Sequence, residues 1–295
     1  MVSVKSVSDY RYDINSLKKH GRSFYWASFF LPRKNKQIAG ELYSICRYFD
    51  DLADCSSENL TEEIKTEYHK IISNESNEIN KFFSKNNIKI AILGDLVNGL
   101  IKDQVEVRID TETELIEYAY EVAGTVGLMM LPIILTDNPE ARKHAIDLGI
   151  AMQLTNIARD IYEDAKMNRI YIPKNWIGDI STENLVNRDK IDLPKVCRVI
   201  EKLIQLSDIF YQNGFSGLKY IPFKTRLAIF ISAQVYKGIG EKIKKNKYKY
   251  DLKRTYVNNF EKLWITIASI PRFFFIRYIY KDYTPVRNTF KNENL

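Results

Sequence analysis

Asp50 and Asp54, and again Asp160 and Asp164, stand four residues apart, the separation that places two side chains one turn apart on the same face of an α-helix. In the first segment, Tyr43-Ser-Ile-Cys-Arg47-Tyr-Phe-Asp50-Asp51-Leu-Ala-Asp54, a helical wheel puts Tyr43, Arg47, Asp50 and Asp54 within an arc of about 60°. In the second, Gln153-Leu-Thr-Asn156-Ile-Ala-Arg159-Asp160-Ile-Tyr-Glu-Asp164, an arc of about 80° holds Gly149, Gln153, Asn156, Asp160 and Asp164. Like charges one turn apart cost a helix a few tenths of a kcal/mol, so each pair calls for a cation. Mg²⁺ suits this chemistry, because it takes oxygen ligands and commonly bridges one or two carboxylates to substrate phosphates. Arg47 and Arg159 lie beside the pairs, and a guanidinium fork binds phosphate as readily as carboxylate. A solvated acidic face would explain one such motif. The second stripe, however, runs along a segment otherwise made of Leu148, Ile150, Leu154, Ile157 and Ile161, and a polar stripe in an apolar helix reads as the wall of a cavity.

The elements that must position these residues read as helices. No proline falls between Pro32 and Pro132. A capping box at Thr111-Glu-Thr-Glu114 precedes the helix-spaced Leu115, Ile116, Ala119, Val122 and Ala123. Asn138-Pro139-Glu140 predicts the start of a long helix from Ala141 to about Ala165. Alternating strand runs with hairpin turns are missing, so the class is all-α. Loops are predicted at residues 55–60, 84–89, 136–138 and 173–194, and none has the composition of a domain linker.

The 295 residues carry 44 Lys+Arg against 37 Asp+Glu, a net charge of +7, with 45% hydrophobic and 27% charged residues. Those fractions exclude collagen-like, disordered and disulfide-framework classes. Cys46, Cys55 and Cys197 lack metal-ligand spacing. Gly238-Ile-Gly240 lacks the third glycine and the preceding strand of a dinucleotide fingerprint. The modest positive charge comes without a basic face bearing base-reading side chains, so no nucleic-acid partner is expected. A leader peptide and an apolar span of membrane length are absent from the reading, and a cytoplasmic location is expected.

At these same residues the chain resembles the squalene/phytoene synthase family of head-to-head prenyltransferases. The resemblance rests on Ser23-Phe-Tyr-Trp-Ala27 with Leu31-Pro32, on Cys46-Arg-Tyr-Phe-Asp-Asp-Leu-Ala-Asp54, and on Tyr118-Ala-Tyr-Glu-Val-Ala-Gly-Thr-Val-Gly127. It continues through Gln153 to Asp160, Glu163-Asp164, Arg169-Ile-Tyr-Ile-Pro173 and a looser stretch from Tyr236 to Arg254. It implies one isoprenoid-synthase domain over residues 1–295, helical, with a central cavity. Asp50, Asp54, Asp160 and Asp164, helped by Asn156, would hold Mg²⁺ or Mn²⁺ against two prenyl diphosphates. Arg47, Arg159 and Arg254 would neutralise the departing diphosphate, while Phe24, Tyr43, Tyr120, Tyr171 and Tyr236 would face the allylic cation. Ser23 and Gln153 complete the implied substrate contacts, and Tyr43 and Tyr120 are the leading catalytic aromatics. Ala123, Gly124 and Gly127 imply either close helix packing or a broken helix beside the substrate.

Within the family the wording of these motifs is similar to that of bacterial phytoene synthases, which join two geranylgeranyl diphosphates without NADPH. The alternative is a C30 synthase using farnesyl diphosphate. A non-catalytic assembly factor of the same fold is disfavoured by the intact aspartates. The apolar and aromatic stretch from Leu263 to Ile279, interrupted by Pro271 and Arg272, cannot span a bilayer but fits peripheral contact with the inner face of a membrane. Lys281, Arg287 and the Lys242 to Lys247 cluster would add attraction to anionic lipid.

Overall fold

Apolar side chains recurring at helical spacing fold the proline-poor first half into a succession of helices, and the chain continues as helices to its last quarter. The computed structural model describes residues 14–54, 61–104, 106–136, 138–188, 192–250, 253–280, 282–290 and 293. In order these are α1 (Ile14–His20), α2 (Arg22–Ser28), α3 (Arg33–Asp54), α4 (Thr61–Ser73), α5 (Glu78–Lys85), α6 (Ile90–Lys102), α7 (Glu112–Ala119) and α8 (Thr125–Ile133). Then follow α9 (Ala141–Lys166), α10 (Lys174–Ile177), α11 (Thr182–Asn187), α12 (Leu193–Ser216), α13 (Phe223–Lys245), α14 (Asn259–Phe274) and α15 (Ile276–Ile279). Among the described residues the β-strands are limited to β1 (Val107–Arg108) and β2 (Arg169–Ile170), which pair in parallel. The fold is all-α, as the helical periodicity predicts.

The long helix predicted from Ala141 to about Ala165 is α9, and it lies at the centre. Ile146, Ile150, Leu154, Ile157 and Ile161 are all buried, leaving it apolar on most of its circumference, the pattern of a core helix. α12, α8, α13 and the segment before α8 pack around it. That segment, Tyr120–Gly124, is a π-helical turn joining α7 to α8. A Cβ on Gly127 would stand 2.2 Å from the Ala145 carbonyl oxygen, and one on Gly149 would stand 2.3 Å from that of Ala123. The small residues serve close packing: they let α8 approach α9 at backbone contact, and the helix that carries them widens into a π-turn without a break.

Thr111 caps α7 by accepting from the Glu114 N–H, but the Glu114 carboxylate turns to the Asp110 N–H, so only half of the predicted capping box forms. The stretch 173–194, expected as a loop, contains α10 and α11 as well as the start of α12. Ser181 provides the signal there, accepting from the Asn184 N–H at the start of α11. The loop expected at residues 55–60 lies outside the described residues. Residues 282–290 return across the α9–α12 pair. Asn213 and Thr284 exchange two hydrogen bonds of 2.9 Å, and Arg287 Nε donates to Asp147 Oδ1 at 2.5 Å.

Candidate active site

α9 presents every third or fourth side chain to a cavity of about 450 Å³: Ala141, His144 and Ala145, Leu148 and Gly149, Met152 and Gln153, then Asn156. α3 does the same on the opposite wall with Ala39, Leu42 and Tyr43, Cys46 and Arg47, and Asp50. Of the two wheels drawn from sequence, Tyr43, Arg47 and Asp50 and then Gly149, Gln153 and Asn156 line the cavity, whereas Asp160 and Asp164 do not. At 1.5 Å per residue, the lining from Ala141 to Asn156 follows about 22 Å of helix axis. One end is polar, with Tyr43, Arg47, Asp50, Asp103, Gln153, Asn156 and Tyr236. Beyond it the wall is almost wholly apolar, and many of its side chains are small: Ala27, Ala39, Ala123, Gly127, Ala145 and Ala228.

At the polar end the arginines occupy the carboxylates. Arg47 Nη1 stands 2.5 Å from Asp50 Oδ2, and its Nη2 stands 2.5 Å from Asp51 Oδ1. Its Nε is buried without a hydrogen-bond partner, a donor held ready at the cavity wall. Asp160, one turn beyond Asn156, receives two forks: Arg159 Nε and Nη2 donate at 2.6 and 2.5 Å, and Arg254 Nε and Nη2 at 2.8 and 2.7 Å. Burial pushes the Asp160 carboxyl up, but the two guanidinium groups outweigh it and hold it below the usual carboxylate range. Asp164, a turn further, has the opposite balance. Burial, then the charge of Asp160, push it to about 8, with Asp103 and Glu163 adding to the rise and Arg169 opposing it.

Tyr236 ties the walls together. Its hydroxyl donates to Asn156 Oδ1 at 2.9 Å, and its ring stacks on Phe24 with centroids 5.2 Å apart. Asn156 Nδ2 in turn donates to Gln153 Oε1 at 3.2 Å, which fixes the amide orientation. Burial raises the Tyr43 phenol well above its ordinary range, so it remains a neutral donor and an aromatic face. Burial also pushes the Cys46 thiol up to about 12, which removes it as a nucleophile at neutral pH.

Of the residues singled out in the sequence, Phe24, Tyr43, Arg47, Asp50, Gln153, Asn156 and Tyr236 line the cavity together. Arg159 and Arg254 do not line it and act through Asp160. Ser23 is on α2 but not on the wall, and the Asp54 side chain lies outside the described residues. Tyr120 is not among the lining residues: its hydroxyl donates to Asp95 Oδ2 at 2.6 Å and its ring stacks on Phe290 at 3.8 Å. Tyr118 lines the wall in its place. Tyr171 stands behind Tyr118, stacked on it at 4.7 Å, and both hydroxyls donate at 2.9 Å to the carboxylate of Asp103, itself a lining residue. Asp103, Tyr118 and His144 were not singled out. Asp103 lies outside both Asp-x-x-x-Asp pairs, and the Tyr118 signal was present in the Tyr118 to Gly127 motif.

Among the described residues no three Asp, Glu, His or Cys side chains close on a common point. Two hard-oxygen helices beside a cavity instead suit a cation shared with an anionic ligand.

An all-helical fold around an elongated apolar cavity, with carboxylates and guanidinium groups gathered at one end, defines a protein that takes long hydrocarbon chains by their charged heads. A model of the squalene/phytoene synthase family matches residues 17–261, and the chain belongs to that family. It is 32% identical over 242 residues to a 15-cis-phytoene synthase of Enterobacter agglomerans, covering 75% of this chain and 81% of the relative. It is 29% identical over 276 residues to a 4,4'-diapophytoene synthase of Staphylococcus haemolyticus, covering 86% and 93% respectively. The crystal structure of a dehydrosqualene synthase in complex with ligand superposes with a TM-score of 0.78 at 28% identity, over 90% of this chain and 96% of that one. The fold is that of the all-α isoprenoid synthases. The protein is a prenyltransferase that condenses prenyl diphosphates head to head in isoprenoid and carotenoid biosynthesis.

Proposed function

We propose that the chain joins two geranylgeranyl diphosphates to phytoene through a cyclopropyl intermediate, prephytoene diphosphate. The observation that carries the C20 reading is the reach of the apolar wall. About 22 Å of α9 axis between Asn156 and Ala141 accommodates an extended twenty-carbon chain, and the small side chains along it leave the lumen open.

The residues divide the work by position. The unpartnered Arg47 Nε offers a diphosphate oxygen a charge-assisted hydrogen bond at the wall. Arg159 and Arg254, held by Asp160, keep positive charge one turn beyond Asn156, where a departing diphosphate needs it. A Mg²⁺ or Mn²⁺ ion bound by Asp50, Asp160 and Asp164, with Asp54, Asn156 and substrate oxygens, would supply Lewis-acid neutralisation of the leaving group. Both Asp160 oxygens are engaged by Arg159 and Arg254, so this carboxylate would hold a cation in competition with the two guanidinium groups. The stacked Phe24 and Tyr236, with Tyr43, present π-faces beside the polar end, each worth about 0.5–2 kcal/mol to an allylic cation. The mostly apolar wall offers few hydrogen-bonding partners to water that would otherwise quench it. The final carbocation loses a proton rather than gaining hydride, so the reaction needs no NADPH.

The test is the product made from geranylgeranyl diphosphate with Mg²⁺ and no reductant. Phytoene is expected. Inactivity on this substrate, with squalene or dehydrosqualene formed from farnesyl diphosphate, would replace the C20 reading by the C30 one. The substrates and the hydrocarbon product are lipids, and peripheral contact with a membrane belongs to this reading.

A further inference from the structure

Residues 282–290 and Glu293 lie beyond the stretch 17–261 that the family model matches, so membership of the family does not account for them. The polar groups of a solvated tail would be left to water, whereas this segment is fixed to the body of the protein at several places. Arg287, expected from sequence to face lipid, has a side chain only 2% exposed. Its Nε donates to Asp147 of α9, its Nη1 to Glu293 at 2.8 Å, and its Nη2 to the Lys143 carbonyl at 3.3 Å. Lys281 lies outside the described residues. Thr284 exchanges hydrogen bonds with Asn213 of α12. The Phe290 ring lies flat on Tyr120 in the π-helical turn, with an angle of 7° between the planes. Tyr283 meets the His144 ring edge-on, at 90° and 5.3 Å between centroids.

The elements held in this way all line the cavity, with Leu148 from α9, Gly214 from α12 and Val122 from the π-helical turn. The segment is therefore a strap across the back of three walls. Removing one partner of a buried ion pair strands the other, so the Arg287–Asp147 contact fastens the strap firmly. The lining side chain it backs is His144, at the apolar end with Ala141, Leu218 and Ile221. That imidazole is clamped on its other sides. A Cβ on Gly217 would stand 2.1 Å from the His144 Cβ, Nδ1 is 2.6 Å from the Asn213 carbonyl oxygen, and the Tyr220 ring lies 5.6 Å away.

We infer that the strap sets the longest prenyl chain the cavity admits, with Tyr283 holding His144 in place as its end wall. His144 stands about 18 Å along the α9 axis from Asn156. A chain whose head is held at the polar end runs toward this ring, and one further isoprene unit presses on it. Backed by water or by a mobile side chain, the ring would yield. Backed by Tyr283, whose neighbours Thr284 and Arg287 are tied to α12 and α9, it does not. Tyr283 is not a lining residue and acts only through His144, so it is a positioning residue.

The inference rests on the prenyl-condensing reading and is tested by binding alone. The full chain with Mg²⁺ is titrated calorimetrically with the unreactive thiolodiphosphates of the C15, C20 and C25 prenyl chains. The wild type is expected to bind the C25 analogue at least about tenfold more weakly than the C20 one. Tyr283→Ala should bring the two within about threefold and leave C15 binding unchanged, while Tyr283→Phe, which keeps the ring, should hold the wild-type ratio. Tyr283→Leu carries the test if the alanine variant does not fold. A merely structural role would weaken all three lengths together. That outcome, an unchanged ratio in Tyr283→Ala, equal C20 and C25 binding by the wild type, or a Tyr283→Phe relaxed as far as the alanine variant would overturn the inference. Rejection of the C20 analogue by a wild type that binds the C15 one would instead overturn the C20 reading, and the strap is then judged by the same criteria on the C20-to-C15 ratio.

Discussion

His144 lies at the apolar end of the cavity with Nδ1 2.6 Å from the Asn213 carbonyl oxygen, and burial lowers its pKa to about 4. An unfolded imidazole titrates near 6.5, so below that pH the unfolded chain takes up a proton that the folded chain refuses. The stability this residue provides is full above about 6.5 and is lost as pH falls toward 4, by up to about 3 kcal/mol. Urea unfolding at pH 7 and pH 4.5 should show that loss in the wild type and a smaller one in His144→Gln; equal losses would contradict the assignment. Asp164 works in the other direction. Raised to about 8, it is largely protonated at pH 7, whereas a cation ligand must be ionised. Mg²⁺ binding should therefore strengthen from pH 6 to 8 and release up to about one proton at pH 7. Calorimetry in buffers of different ionisation enthalpy measures that release, and Asp164→Asn should abolish it. At this scale the sequence was most informative where period and chemistry coincide, as in Arg47, Asp50, Gln153 and Asn156. Tyr120 was named by the resemblance alone, and local pattern does not report that its hydroxyl pairs with Asp95 and its ring with Phe290.

On the proposed C20 reading α9 is the ruler, with the polar residues at one end and Ala141 at the other. Ala145 lies on the cavity wall about 16 Å along the helix axis from Asn156. A phenylalanine there should leave space for a fifteen-carbon chain and obstruct a twenty-carbon one. Ala145→Phe is expected to lower kcat/KM for geranylgeranyl diphosphate at least tenfold relative to farnesyl diphosphate, one chain segment being worth about 1–3 kcal/mol in an apolar pocket. An unchanged preference in a competition assay would show that the chain does not run along this wall. The existence of α9 was legible because proline, cap and period agree at its start. The two short helices within 173–194 were not, because four or six residues give too little periodicity against a background of loop-type residues. α14 was recognised as apolar, but which face it buries depends on α2 and α13, and no local pattern reports that.

Across the whole molecule, what escaped the sequence is contact between distant parts of the chain. Arg254 reaches Asp160 across 94 residues, and Arg287 reaches Asp147 across 140. The first pair builds the polar end of the site and the second fastens residues 282–290 beneath its apolar end. Such pairings are set by tertiary packing, and the identities of the two residues alone do not announce them. The central claim also belongs to this scale: Asp50 on α3 and Asp160 on α9, far apart in sequence, serve a single diphosphate-binding site. A double-mutant cycle on Asp50→Asn and Asp160→Asn tests it, with kcat/KM measured on geranylgeranyl diphosphate at saturating Mg²⁺. Each single variant should fall about a hundredfold or more, and the double variant should fall by much less than the product of the two factors, as groups acting on one leaving group do. Near-normal turnover in either single variant, or losses that multiply, would show that the two helices do not form one site.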